Sequence, residues 1–322
     1  MQAILAVTVP FFALVLCGYL AARRGVLPES AIPGLNAFVL YFALPCMLFR
    51  FGMNTPVFDL LNPTVLGTYL LCALIIVFFT IAVTLSDRVH LKDAAFGALV
   101  AAFPNTGFMG VPLLVALLGP AAAGPVICTV LADLFVTSSL CIALAQAHEA
   151  SGQGGRAAAG KALRGALSNP LPWSIALGAA FSATGTQLAG PPEVIVRMLG
   201  ESATPVALFT IGAVLWRAGQ HAHTRTPPAQ FLPVAAIKLL LHPLLVFAVA
   251  ASARALGAPL SSFQIVVLTL AAALPSASNV SLLAERYGAD NGRIARIIMS
   301  STVAAFVSFS LLAWAFGVNP GG

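Results

Sequence analysis

The stretch AAFPNTGFMGVP, residues 101–112, decides the fold because it interrupts a long apolar segment at its middle. The segment runs from Ala94 to Leu118, which is long enough to cross a bilayer as a helix at about 1.5 Å rise per residue. Pro104 removes a backbone donor and disfavours helical geometry at Phe103. In lipid, a broken helix is tolerated only where protein or a water-filled cavity satisfies the freed backbone groups. We therefore expect this break to lie inside the protein or against a cavity.

A second apolar segment, Ser262 to Leu283, carries a matching interruption in the sequence AAALPSASNVSLL, residues 271–283. Its Pro275 follows Pro104 by 171 residues. Paired broken helices in the two halves of a membrane protein are the best pointer in a sequence to the substrate site of a transporter.

The composition is that of a polytopic membrane protein. Of the 322 residues, 59% are hydrophobic and 8% are charged, about a third of the roughly 25% charged residues usual in soluble domains. The net charge of +6 would suggest nucleic-acid binding in a soluble protein, but here the basic residues lie in short loops, where they act as topology signals. Because the basic residues are topology signals, we predict no nucleic-acid partner. All five cysteines fall inside apolar segments without metal-ligand spacing, so we also predict no metal site.

The hydropathy pattern predicts an all-α integral membrane protein with ten transmembrane helices. Residues 2–22 are followed, not preceded, by Arg23 and Arg24, which is typical of a retained span and not of a secretory signal. The predicted spans are residues 2–22, 34–51, 64–85, 94–118, 121–146, 171–188, 203–216, 231–253, 262–283 and 294–316.

The two halves of the chain resemble each other weakly. The offset of 171 that aligns the two prolines also aligns Phe135 with Phe306 and Leu140 with Leu311. Because five spans is an odd number, a second copy must lie inverted in the membrane. We therefore predict a first repeat at 1–147, a linker rich in Gly, Ala and basic residues at 148–168, and a second repeat at 169–322.

The distribution of Lys and Arg predicts the orientation. The odd-numbered loops, with the start of span ten, carry twelve of these residues and the even-numbered loops carry three. Because cytoplasmic loops are enriched in Lys and Arg, the odd-numbered loops are predicted to be cytoplasmic and both termini periplasmic.

Five motifs, taken in order along the chain, resemble the auxin efflux carrier family. They are LNAFVLYFALPCMLF (35–49), FPNTGFMGVPLL (103–114), NPLPWSIALG (169–178), TPVALFTIGAVL (204–215) and LPSASNVSLLAERYG (274–288). The resemblance implies ten spans in two inverted five-helix repeats, with spans four and nine crossing as broken helices at the substrate site. It also implies a scaffold of spans 1, 2, 6 and 7, and a mobile transport core of spans 3–5 and 8–10.

The bacterial members of this family include malonate transporters. The resemblance therefore implies a secondary transporter in a bacterial inner membrane that moves malonate or a similar small carboxylate by alternating access. A coupling ion, either a proton or sodium, and assembly as a homodimer are left open. A membrane receptor or channel built on the same fold is the alternative, and saturable uptake into proteoliposomes distinguishes it.

The residues at the two breaks are the predicted substrate site. Freed backbone N–H groups and half-helix N-termini can face a carboxylate, and asparagine side chains add donors. The candidate residues are Pro104, Asn105, Thr106, Gly107, Pro275, Ser276, Ser278 and Asn279. The alternative is that these polar groups only satisfy the broken backbone.

Three ionisable residues inside the spans are candidates for ion coupling. Asp133 lies near mid-bilayer in span five, with Thr129 and Thr137 on the same helix face. Lys238 and His242 share one face of span eight, and their depth predicts that Lys238 reaches Asp133 if the two spans are neighbours. The alternatives are a structural aspartate, a snorkelling lysine and a packing histidine. Nucleotide-binding loops, catalytic triads and metal-ligand clusters are absent from the sequence, so we predict no enzyme and no cofactor.

Overall fold

The computed structural model describes residues 1–56, 60, 62–147, 160, 167–220 and 226–320. Over these residues the chain is helical and has no strand, only two isolated backbone bridges. The helices are α1 (Gln2–Arg23), α2 (Glu29–Asn54), α3 (Pro63–Thr84), α4a (Leu91–Ala102), α4b (Thr106–Leu118), α5 (Pro120–Gln146), α6 (Pro170–Thr184), α7 (Pro191–Gln220), α8 (Pro228–Ala255), α9a (Ser262–Ala272), α9b (Val280–Arg286) and α10 (Asn291–Ala315).

Seven of these helices, α1, α2, α3, α5, α7, α8 and α10, are long and apolar enough to cross a membrane. The helical, multi-span class predicted from composition is therefore confirmed. The other segments are shorter: α6 has 15 residues, α4a has 12 and α9b has seven. The predicted linker falls mostly on residues 148–159 and 161–166, which lie outside the described residues.

Both predicted interruptions are present in the structure. α4a ends at Ala102, and Phe103 takes an extended conformation (φ −99°, ψ 96°), as expected for a residue that precedes proline. The other broken segment leaves its helix after Ala272 and resumes helical geometry at Val280.

Two helices extend well beyond the predicted spans. α7 spans Pro191–Gln220, whereas hydropathy predicted residues 203–216, and α2 spans Glu29–Asn54 instead of 34–51. The reason is that hydropathy detects only the apolar part of a helix. The first turns of α7 mix apolar residues with charged ones, and an ion pair between Arg197 and Glu193 at 3.3 Å lies on one helix face.

Four helices contain a five-residue turn with π-helical geometry, at 39–43, 106–110, 133–137 and 237–241. Three of these turns end two residues before a proline: Pro45, Pro112 and Pro243. A proline removes one helical hydrogen bond and its ring crowds the preceding turn, which favours such widening. The remaining turn begins at Asp133. Turns with π-helical geometry therefore occur at the first break and at the buried ionisable residues, and such turns are frequent at functional sites.

Glycines allow the closest helix contacts. α1 packs on α7, and a Cβ atom added at Gly18 or Gly212 would overlap a backbone carbonyl of the facing helix. α2 packs on α6 in the same way through Gly52 and Gly178. α3 packs instead on α4a, α5 and α8. Small residues are common where membrane helices approach this closely.

Candidate functional site

The two helix breaks pair with each other through their backbones. Asn105 N donates to Pro275 O at 2.8 Å, and Ala277 N donates to Phe103 O at 3.0 Å. The pairing is an isolated antiparallel bridge between Pro104 and Ser276. Each break therefore satisfies part of the backbone that the other one frees, which is the protein environment that a break at membrane depth requires.

Ser276 satisfies a further freed carbonyl. Val100 O would accept from the N–H of residue 104 in a continuous helix, but residue 104 is a proline. Ser276 Oγ donates to Val100 O at 2.7 Å instead, and Ser276 N donates to Ser301 Oγ in α10 at 3.2 Å. Ser276 thus satisfies the broken backbone, which is the alternative to substrate binding that the sequence analysis gave for the polar residues at the breaks.

A small cavity of about 20 Å³ lies beside the paired breaks. Four of the predicted site residues line it: Pro104, Asn105, Gly107 and Asn279. The other four candidates, Thr106, Pro275, Ser276 and Ser278, are not among the residues that line it. A volume of this size holds about one water molecule, so an organic anion requires the cavity to open.

Six further lining residues were not predicted: Phe103, Phe108, Val130, Leu134, Leu171 and Ala277. Phe103 and Phe108 flank the first break, and their position beside Asn105 was a signal available in the sequence. Leu171 comes from α6, and no local pattern identifies which apolar residue of a distant helix faces a cavity. Among the described residues, the lining is therefore mostly apolar and contains no charged side chain.

The polar groups of the cavity are two asparagine side chains. Asn105 is only 2% exposed and Asn279 is half-buried, and neither amide caps the helix that follows it. Within the described parts of the chain, neither side chain has a hydrogen-bond partner. Because buried amides in proteins are normally hydrogen-bonded, two unpartnered amides at one cavity favour a ligand or water as the partner.

Asp133 lies in a separate buried network. Its Oδ2 accepts from Tyr69 Oη of α3 at 2.9 Å, and its Oδ1 accepts from Thr137 Oγ1 at 3.1 Å. The predicted contact with Thr137 is therefore present, whereas Thr129 donates to Val126 O at 2.7 Å within its own helix. Tyr69 carried no signal in the sequence, because tyrosine is common in apolar helices.

Lys238 and His242 contact each other as their spacing predicted. Lys238 Nζ lies 3.3 Å from His242 Nδ1 and donates to Ala272 O at 2.5 Å. Both side chains are fully buried, so Lys238 does not snorkel to the membrane surface. The ring of His242 lies 5.9 Å from that of Tyr69, and its Nε2 atom is buried with no partner among the described residues.

Asp133 and Lys238 form no direct ion pair in the described part of the chain. The direct contact that we predicted depended on spans five and eight being neighbours, but Asp133 contacts Tyr69 of α3 and Lys238 contacts His242 instead. The two groups remain close enough to interact electrostatically. They therefore form one buried cluster connected through Tyr69 and His242.

Arg293 is a buried charge whose environment the sequence did not reveal. It is 2% exposed, and its guanidinium donates to Gln230 O at 2.9 Å and to Asp93 O at 2.8 Å. Its backbone N–H donates to the side chain of Asp290, which caps α10. Arg293 thus joins the first turns of α4a, α8 and α10, whereas the sequence interpretation counted it only as a topology signal.

No three His, Cys, Asp or Glu side chains lie together in a metal-binding arrangement within the described ranges.

Comparison with known proteins identifies the family. The family described as "Membrane transport protein" matches residues 3–313. The chain is 29% identical over 308 residues to a Rhizobium meliloti (strain 1021) protein named "Putative malonate transporter", covering 94% of this chain and 92% of the relative. It is 24% identical over 282 residues to "Uncharacterized transporter YfdV" of Escherichia coli (strain K12), covering 86% of each. An "Uncharacterized transporter" of Methanothermobacter thermautotrophicus is 26% identical over 313 residues, covering 92% of this chain and 93% of that protein.

The matched range takes in both helix breaks and the buried cluster, and the family is the one that the five sequence motifs resemble. The chain belongs to the membrane transport protein family that includes the auxin efflux carriers.

Proposed function

We propose that the protein is a secondary transporter that moves malonate or a similar small carboxylate across a bacterial inner membrane. The observation that carries the proposal is the pair of unpartnered amides, Asn105 and Asn279, at a cavity beside the paired helix breaks. The choice of malonate as first substrate comes from the name of the Rhizobium meliloti relative. An asparagine amide donates well to a carboxylate, and hydrogen bonds to charged groups are the stronger ones.

The cavity is suited to an anion although no cationic side chain of the described residues lines it. Gly107, in the first turn of α4b, lines the cavity, and the first N–H groups of a helix lack intrahelical partners. The partial positive charge at such an end favours an anionic group. Asn105, buried and unpartnered beside this helix end, supplies the specific donor.

Alternating access is the proposed mechanism. We infer ten spans in two inverted repeats, with α4 and α9 as crossing broken helices, a scaffold of α1, α2, α6 and α7, and a moving core of α3–α5 and α8–α10. The packing of α1 on α7 and of α2 on α6 supports this division. The cavity also supports it, since Leu171 of α6 faces lining residues that come from α4, α5 and α9. A movement of the core against this wall would open the cavity to one side of the membrane.

Ion coupling is assigned to Asp133, Lys238 and His242, with a proton as the first candidate and sodium as the second. The buried cluster supports this role because ionisable groups at membrane depth are costly and mark proton or ion pathways by default. The orientation with both termini periplasmic and assembly as a homodimer are further parts of the proposal.

Uptake into proteoliposomes tests the proposal. Purified protein reconstituted into vesicles is expected to take up radiolabelled malonate, or another small mono- or dicarboxylate of a screened set, with saturable kinetics. A thermal-shift screen of the same compounds identifies which of them bind. A flux that does not saturate would favour a channel, and binding without any flux would favour a receptor.

A further inference from the structure

We propose that the anion and a proton bind together, with the proton on Asp133 and with Lys238 as the residue that links the two sites. This inference rests on the proposed function and deepens it by assigning the ion, the direction of coupling and the residues that transmit it. It predicts that carboxylate affinity rises as pH falls and that binding of the anion takes up one proton.

The argument begins with the position of the buried cluster. Asp133 does not line the cavity, but its chain neighbour Leu134 does, and so does Val130 one turn earlier. Lys238 contacts Ala272, the last residue of α9a, shortly before the second break. Asp133 thus lies on a helix that lines the cavity, and Lys238 of α8 contacts the end of the helix that leads to the second break.

The charge balance then sets the direction of coupling. With both groups ionised, the cluster is neutral, and an anion entering the cavity keeps its whole negative charge uncompensated inside the protein. With Asp133 protonated and Lys238 charged, the cluster carries one positive charge, which compensates one negative charge of the anion. Because an uncompensated buried charge is costly, the anion binds better when Asp133 is protonated. By linkage, the anion increases proton binding by the same factor.

The contacts of Lys238 keep its charge available for this role. Its ammonium donates to Ala272 O at the C-terminal end of α9a, where the helix dipole favours a cation, and neutral His242 can accept through Nδ1. Neither contact depends on the state of Asp133. Lys238 is thus a positioning residue that acts on the anion through the electric field and not by contact.

The contacts of Asp133 suit both of its protonation states. The hydroxyl groups of Tyr69 and Thr137 donate to the carboxylate, and each hydroxyl can also rotate and accept from a protonated carboxyl group. Gaining a proton therefore leaves no buried polar atom of this group without a partner. The proton comes from water on the side to which the cavity opens, and a monoanion transported with it carries no net charge across the membrane.

Among the described residues, the other titratable groups that interact with the cluster are neutral when the proton moves. They are Tyr69 and Cys72 of α3, Cys141 of α5, and His242 of α8, while α9a has no titratable residue. Asp133 and Lys238 are the two groups that set the charge of the cluster.

Calorimetry with malonate tests the inference. Malonate is titrated into the purified protein between about pH 6 and about pH 8, in buffers of different ionisation enthalpy, so that both affinity and proton uptake are measured. We expect the affinity of the parent to fall about fivefold or more across this range. Asp133→Asn carries no charge at any pH, so it is expected to keep the higher affinity throughout and to take up fewer protons than the parent. The proton uptake measured with Asp133→Asn includes the protons that malonate itself exchanges, so it is subtracted from the proton uptake of the parent.

A double-mutant cycle isolates the linkage. Lys238→Met is expected to bind malonate more weakly at low pH. Without the lysine charge beside it, the buried Asp133 carboxyl is expected to stay protonated across the pH range, so Asp133→Asn should have no further effect in the Lys238→Met background. Arg197→Gln removes the same charge from an exposed ion pair of α7, so it serves as the matched control and should behave like the parent. If Asp133→Asn does not fold, Tyr69→Phe is measured instead. It should retain proton uptake but change the pH at which the affinity is half-maximal.

Two results overturn the inference separately from the proposed function. If the parent and Asp133→Asn bind malonate with the same pH dependence and the same proton uptake, the proton linkage is overturned. The proposed substrate site would remain. Affinity that depends on sodium but not on pH would assign the coupling to sodium. An absence of malonate binding at every pH would overturn the proposed function for malonate, and the inference would fall with it.

Discussion

Ser276 Oγ donates to Val100 O at 2.7 Å, so a side chain from the second helix break replaces the donor that Pro104 removes from the first. The relationship joins residues 176 positions apart in the sequence. One polar residue at the breaks thus stabilises the broken backbone, and we propose that the neighbouring asparagines contact the ligand.

Ser276→Ala is expected to destabilise the protein and to leave substrate affinity within about threefold of the parent. A buried carbonyl left without its donor costs about 1–3 kcal/mol. Thermal unfolding in detergent and malonate binding are measured together. Ser300→Ala is the matched control, because Ser300 Oγ donates to the carbonyl of Arg296 within its own helix. Unchanged stability combined with a large loss of affinity would return Ser276 to the substrate site.

The sequence predicted the breaks but not their partners. Proline acts through local backbone chemistry, so Pro104 and Pro275 could be identified from the sequence alone. The pairing of Tyr69 with Asp133 could not, because a tyrosine in an apolar helix has no local feature that distinguishes a packing residue from a hydrogen-bond donor. Arg293 was missed for a related reason: charge near the end of a span is usual, and only the tertiary structure shows it buried among three helices.

Close packing of α1 on α7 predicts a sensitive glycine. Gly212→Ala should lower stability by about 1–3 kcal/mol, because its Cβ would overlap Val15 O and force the helices apart. Gly219→Ala on the same helix has open space around it and should be neutral or slightly stabilising. Thermal unfolding of the two variants measures the difference, and equal behaviour would contradict the packing.

The proposed orientation predicts the accessibility of engineered cysteines, on a background without the native ones. A cysteine at Gly154 should be closed to an impermeant thiol reagent added to intact cells, and one at Gly321 should react. Both positions lie outside the residues that the structure describes, so the prediction rests on the distribution of Lys and Arg. Labelling at position 154 alone would reverse the topology.

The buried carboxylate predicts a transport phenotype. Asp133→Asn should abolish the stimulation of uptake by a pH gradient while malonate binding remains measurable, because the amide cannot exchange a proton. Uptake into proteoliposomes with and without the gradient provides the measurement, with Glu193→Gln, which removes a carboxylate from an exposed ion pair of α7, as the charge control. Retention of the parental pH dependence would make Asp133 a structural residue.

The most direct test of the substrate site is the malonate affinity of Asn105→Ala and Asn279→Ala, measured by calorimetry on purified, folded protein. If each amide donates to the carboxylate, each variant should bind more than tenfold more weakly, because a hydrogen bond to a charged ligand contributes about 1.5–3 kcal/mol. Asn54→Ala removes an exposed amide that bonds the carbonyl of Arg50 and should bind like the parent. Parental affinity in both Asn105→Ala and Asn279→Ala would contradict the assignment of these amides to the substrate.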